Sequence, residues 1–173
     1  CDSENCIFEL EFNGISECSE GLVFSASGIK YTIKAADGYS PVLARDMTSE
    51  FSMFTIPSSS LIDSLTIDSV SFENFKAADG AVIKYLSDSA NIILLGNCSF
   101  RNNEVTNKGG VIYSTESITI GSTTSSLEFI SNKATTGGAI YSNINLNLYG
   151  NISFENNIAT DGGAIYSIGT LVV

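Results

Sequence analysis

The chain has 173 residues, 43% of them hydrophobic, with eight basic and nineteen acidic side chains and a net charge of −11. That charge disfavours nucleic acid and anionic lipid as partners, because both are bound through positive side chains. Histidine is absent, so the commonest general base and metal ligand is missing, and neither cofactor nor metal is expected.

The apolar runs, such as Ile92 to Leu95, are far shorter than the ~18 residues of a spanning helix, so no membrane insertion is expected. The chain opens at Cys1 without a signal-peptide pattern, which suits a processed or excerpted piece. Residues 1–60 read as irregular strands that form a cap or a degenerate coil. The segment ending Glu9-Leu10-Glu11-Phe12 alternates as a half-buried strand does. Asn13-Gly14 marks a tight turn. Short strands follow at Gly21–Phe24, Ile29–Ile33 and Phe51–Ile56, the last closed by Pro57 and three serines. Lys34-Ala35-Ala36-Asp37-Gly38 returns as Lys76-Ala77-Ala78-Asp79-Gly80, which suggests an early coil offset by one long loop. Cys1, Cys6 and Cys18 cluster here. At most one disulfide fits among the three, and the pairing stays open.

Residues 61–173 are regular. Phe72, Phe100, Phe129 and Phe154 are 28, 29 and 25 residues apart. Each precedes a glycine corner and then Ala-Ile-Tyr or a variant of it: Gly80-Ala81-Val82-Ile83, Gly109-Gly110-Val111-Ile112-Tyr113, Gly137-Gly138-Ala139-Ile140-Tyr141 and Gly162-Gly163-Ala164-Ile165-Tyr166. A period of about 25–29 residues is the mark of a solenoid. Each coil is expected to hold three short strands, with almost no helix. The first strands are Leu65–Ile67, Ile92–Leu95, Ile118–Ile120 and Leu146–Leu148. Polar turns at Asp68-Ser69, Gly96-Asn97, Gly121–Ser126 and Gly150-Asn151 lead to the phenylalanine strand. Stacking places like above like, in three parallel sheets around a narrow core.

The recurring residues then have physical roles. The phenylalanines form an inward stack, each contributing roughly 1.5–3 kcal/mol on burial. Asn103, Asn132 and Asn157 form an amide ladder, and Phe75 holds that place one coil earlier. Cys98 replaces Val70, Leu127 and Ile152, so it is a buried, reduced core residue. Tyr113, Tyr141 and Tyr166 form an outward row, which Tyr85 breaks. Such a row either supports itself or stacks on sugars. In-register neighbours include Glu73 with Arg101 and Asp79 with Lys108, two expected ion pairs. Asn97-Cys98-Ser99 and Asn151-Ile152-Ser153 are sequons at one repeat position, so Asn97 and Asn151 are glycosylation candidates in a eukaryotic secretory setting.

Phe129-Ile130-Ser131-Asn132 with Gly137-Gly138-Ala139-Ile140, and Phe154-Glu155-Asn156-Asn157 with Gly162-Gly163-Ala164-Ile165, resemble the repeat of the polymorphic membrane protein family of chlamydiae. Phe100–Asn103 with Gly109-Gly110-Val111-Ile112 departs by one valine. The resemblance implies an all-β, right-handed parallel β-helix and an association with adhesion at a cell surface. The reading is a non-catalytic extracellular or surface β-helix, structural or adhesive, whose partners are further coils, another copy stacked axially into a filament, or a glycan or host surface. The alternative is a carbohydrate-binding or carbohydrate-active β-helix. Lyases and hydrolases need clustered carboxylates, and in this register Glu155 stands beside Ile130 and Glu128 beside Ser153.

Overall fold

The structure is a computed structural model and describes residues 4–87 and 92–173. It is an all-strand parallel solenoid of six coils. The first column of strands runs through Asn5–Leu10, Lys30–Ala35, Ser64–Asp68 and Ile92–Leu95, then the leading parts of Ile118–Ile130 and Leu146–Glu155. The second column is Gly14–Cys18, Pro41–Arg45, Ser71–Glu73, Cys98–Arg101 and the trailing parts of those two long strands. The third is Leu22–Val23, Phe54–Ile56, Ile83–Tyr85, Ile112–Ser114, Ile140–Ser142 and Ile165–Ser167. Leu171–Val172 adds a seventh rung to the first column, on Leu146 and Asn147.

No coil buries a face by itself, so the fold is made by stacking. The registers place Phe100 between Phe72 and Phe129, and Phe154 on Phe129. The rings lie 5.5, 4.8 and 4.9 Å apart and tilt by only 9, 16 and 12°. Ile83, Ile112, Ile140 and Ile165 align in the third column. Cys98 pairs with Leu127 and is buried. Burial pushes its thiol up to about 12, so it stays protonated and acts as a small hydrophobe.

In three respects the structure departs from the sequence pattern. First, Gly121–Ser126 and Gly150-Asn151 do not break the chain into two strands. Ile118–Ile130 and Leu146–Glu155 run through them, with a register shift between Gly121 and Ser126, and fuse the first two columns into one sheet. Gly121 and Gly150 have φ of 81° and 97°, and a side chain on Gly150 would strike the carbonyls of Ser122 and Ser125. Glycine therefore allows this corner to stay hydrogen-bonded while it bends. Second, the loop before the glycines carries its own short ladder, Lys76–Ala77 against Glu104–Val105, continued by single bridges at Lys133 and Ile158. Third, the two Lys-Ala-Ala-Asp-Gly segments are not equivalent. Lys34 pairs with Asp68 in the first column, whereas Lys76 pairs with Glu104.

Residues 4–60 complete two coils. Gly14–Cys18 pairs with Pro41–Arg45, which pairs with Ser71–Glu73. Asn13-Gly14 turns the chain between columns rather than forming a hairpin, with Gly14 at φ 82° and Asn13 Oδ1 accepting from the Ser40 N–H. The Arg45 guanidinium is buried and donates to the carbonyls of Ser49 and Asn74, tying two coils at one corner.

Candidate functional site

The asparagine ladder is the most ordered polar feature. Asn103 donates its backbone N–H and its Nδ2 to Oδ1 of Asn132, both at 3.0 Å. Asn132 repeats this toward Asn157, again at 3.0 Å. Each Nδ2 also reaches back to a phenylalanine carbonyl of the coil below, Phe72, Phe100 or Phe129. The ladder starts above Phe75, whose N–H donates to Asn103 Oδ1. Asn103 and Asn132 are fully buried, so these bonds satisfy groups that water cannot reach.

The residue before each ladder position was not visible as special in the sequence. Asn74, Asn102, Ser131 and Asn156 have φ of 62, 54, 55 and 53°. The chain must enter the left-handed region there to turn the asparagine inward, and asparagine tolerates that region better than most residues. The pattern Asn-Phe, Asn-Asn, Ser-Asn, Asn-Asn carried the signal. A second unread feature is the serine after each tyrosine. Ser114 and Ser142 point inward and donate to Glu116 O, and Ser167 donates to Ile144 O.

The tyrosine row lies outside the third column. Tyr113, Tyr141 and Tyr166 pair in register, with ring centroids 5.5 Å apart in both steps. Lys84 holds their place in the coil below, and Tyr85 turns inward and is buried. Tyr141 faces outward yet is only 3% exposed, because a ring covers each of its faces. Lys108 sits 4.5 Å over the Tyr141 ring and donates to its hydroxyl at 3.2 Å. That hydrogen bond raises the lysine above its ordinary value. Burial raises the Tyr113 phenol. An open groove of about 400 Å³ runs beside the row, lined by Asp79, Asn107, Lys108, Tyr113, Thr135 and Thr136.

The two expected ion pairs have the right register and different partners. Arg101 stands over Glu73, but its guanidinium bonds Glu128 at 2.6 Å and Ser99 Oγ at 2.8 Å. The serine steers the long side chain diagonally, a reach that suits arginine. Lys108 neighbours Asp79 through the Gly80 N–H on Lys108 O, but its amine goes to Tyr141. Asp79 meets Lys84 instead, at 3.7 Å. A third cluster was not foreseen. Glu104 is held between Lys76 at 3.0 Å and Lys133 at 2.9 Å. Those two ammonium groups, Lys133 first, keep its carboxyl below the ordinary value of 4.5. It is a charged clamp between three coils rather than a proton donor.

Asn97 and Asn151 are exposed and lie in one outer column, on either side of Ser126, which pairs with Asn151. Cys6 is disulfide-bonded, and Cys18 carries a free thiol, half-buried and raised by that burial. Cys1 lies outside the described residues.

Three successive coils match a known repeat. Residues 97–115, 126–143 and 151–168 match the family described as the Chlamydia polymorphic membrane protein repeat. No curated protein and no solved structure matches the chain. Each matched segment spans one phenylalanine of the stack, one ladder asparagine, the glycine pair and one tyrosine of the row. Each segment that matches the repeat therefore fills one rung of every ladder described above. The coil of Phe72 lies outside the match, and it is the coil with Phe75 at the ladder position, Ala81 in place of the second glycine and Lys84 in the tyrosine row.

Proposed function

We propose that this chain is a rigid, non-catalytic shaft displayed at a cell surface, which spaces or presents adhesive chemistry rather than transforming a substrate. The observation that carries the reading is the direction in which the repetition points. Phe, Asn, Gly, Ile and Ser recur where coils hold one another. The outward neighbour of the phenylalanine is Glu73, Arg101, Ile130 and Glu155 on successive rungs. The recurrent chemistry, the tyrosine row included, serves stacking, while the outward neighbours of the phenylalanines change from coil to coil.

The surface assignment draws on the repeat, whose name is that of a membrane protein of Chlamydia. The non-catalytic assignment draws on the carboxylates. Glu128 lies between Ser99 and Ser153 and is bound by Arg101, Glu155 lies beside Ile130, and Glu104 is neutralised by two lysines. Paired carboxylates of the glycosidase kind need a second free acid across the substrate. The tyrosine rings stack on one another and Tyr141 is buried between its neighbours, so the row offers a sugar little more than one face of Tyr166, a poor stacking platform. Where the chain passes through a eukaryotic secretory route, glycans at Asn97 and Asn151 line one edge of the shaft.

Antibodies raised against the folded chain test the display. Labelling of intact cells is the expected result, and labelling only after permeabilisation overturns it. Beads coated with the chain test adhesion to cells against beads carrying urea-denatured chain. Release of reducing ends from a polysaccharide panel, lost in Glu128→Gln, would overturn the non-catalytic assignment.

A further inference from the structure

We infer that the groove beside Lys108 is a binding site for a sugar that carries one carboxylate, a uronic or sialic type of residue at the end of a glycan. The chain holds eight basic side chains against nineteen acidic ones. Five of the eight bind a carboxylate: Lys34, Lys76, Lys84, Arg101 and Lys133. Arg45 is buried and is used on two carbonyls. Lys108 differs. Asp79 lies on the next rung but pairs with Lys84, at 3.7 Å, and no carboxylate comes within ion-pair distance of Lys108 among the described residues. Its ammonium is held instead on Tyr141, 4.5 Å from the ring centroid and 3.2 Å from the hydroxyl. That contact uses one of three hydrogens and leaves the others to the groove. In so acidic a chain, a cation fixed in place without an acid is set for an acid from outside.

The rest of the groove suits hydroxyls. The Asn107 amide, the Tyr113 phenol and the Thr136 hydroxyl line it, and their polar ends meet no hydrogen-bond partner among the described residues. Amide, phenol and hydroxyl all both donate and accept, and the Asp79 carboxylate accepts. A sugar hydroxyl also does both, so a polyol fills such a set, whereas a bare carboxylate leaves most of it unused. Thr136 bridges to Lys108 one rung on, and the Gly80 N–H binds Lys108 O one rung back. Asp79, Lys108 and Thr136 therefore stand on successive rungs about 4.8 Å apart, a spacing comparable to the width of a pyranose ring. The volume of about 400 Å³ is at the lower end of the roughly 300–1,000 Å³ of small-ligand sites, room for a sugar or two rather than a polymer. The net charge of −11 repels a polyanion, so a single carboxylate is the charge the site fits.

A second groove, of about 320 Å³, shares Thr135 with this one and serves as its contrast. Its two lysines, Lys76 and Lys133, are both spent on Glu104, and Glu50 also lines it, so it offers an anion no free charge. Nor is the Lys108 groove repeated along the shaft. The column reads Asp79, Lys108, Thr136 and Asp161 on successive rungs, so the cation occurs once in it. The assignment gives the adhesive part of the proposed function a ligand and rests on that reading only for its biological use. Recognition here runs through polar ends and one charge, and needs no free tyrosine face.

The test titrates the folded chain with methyl glucuronide and with sialyllactose, each beside its neutral counterpart, methyl glucoside and lactose, and follows the backbone amide resonances. One acidic sugar is expected to shift the amides of Lys108, Tyr113 and Thr136 and to bind at least about tenfold more tightly than its neutral counterpart, the effect of one charge-assisted contact. Which of the two binds tells a uronic from a sialic ligand. Lys108→Gln keeps a donor for Tyr141 and should reduce the acidic sugar to the affinity of the neutral one. Thr136→Val should weaken the acidic sugar as well, and it reads the site without touching the tyrosine row. Equal affinity for acidic and neutral sugars overturns the inference, as do an unchanged Kd in either variant, shifts confined to the Lys76 and Lys133 groove, or no shift with any of the four sugars. Acetate binding as tightly as the acidic sugar would also overturn it, by showing an anion site and no more. Binding is read on the isolated chain, so its failure and a failure of surface labelling are separate results.

Discussion

Replacing Asn132 with leucine keeps the number of side-chain heavy atoms and removes the hydrogen-bonding chemistry. Four hydrogen bonds disappear: two accepted from Asn103, one donated to Phe100 O and one donated to Asn157 Oδ1. Two of the groups left behind, the Asn103 N–H and one Asn103 amide hydrogen, lie in a site with no solvent access. A net hydrogen bond contributes about 1 kcal/mol, and an orphaned buried donor costs about 1–3 kcal/mol. Leucine opens no cavity, its bulkier methyl groups add crowding to the lost hydrogen bonds, and the expected loss is about 3–5 kcal/mol. Asn157→Leu is the internal control. It removes three side-chain bonds, one fewer than Asn132→Leu, and leucine is not crowded in its half-buried site, so the expected loss is smaller, about 2–3 kcal/mol. Urea titrations followed by tyrosine fluorescence measure both, since the chain has no tryptophan. An unchanged slope would show that the same surface unfolds in each variant. A loss for Asn132→Leu no larger than that for Asn157→Leu would refute the view that buried amide pairing holds the coils together.

Phe129→Ala removes a ring stacked on both faces and should cost about 3–5 kcal/mol. Tyr141→Ala should cost less, about 1.5–3 kcal/mol, because its ring packs between two tyrosines outside the main core cluster, and equal losses in the same titration would show that the row is core. Ser131→Asn places asparagine at the exposed left-handed position that asparagine holds in three other coils. It should stabilise by about 0.5–1 kcal/mol, read as a raised midpoint. Glu104→Gln should destabilise at pH 7 by under about 1 kcal/mol, since both bridges are partly solvated. The folded carboxyl lies below its ordinary value of 4.5, so its contribution is present above that pH and lost as pH falls through the depressed value. The difference between wild type and variant should therefore vanish in acid.

The sequence alone determined the scaffold. In a parallel solenoid, residues one period apart are spatial neighbours, so a repeated letter is already a contact. That is why the phenylalanine stack, the asparagine ladder beginning above Phe75, the aligned isoleucines and the buried Cys98 could be placed from spacing. The tertiary structure decided what repetition does not encode. Lys108 and Arg101 are long and flexible, and they chose Tyr141 and Glu128 over the neighbours that register alone supplies. Tyr141 is outward by alternation and buried by its neighbours' rings, which only stacking reveals. Pro41–Arg45 and Gly14–Cys18 lack the phenylalanine of the regular coils, yet they continue the second column, because backbone hydrogen bonds read neither letter nor period. Whether Gly121–Ser126 ends a strand or bends through it depended on two glycines meeting the carbonyls of the adjacent coil, a contact that exists only once the coils are stacked.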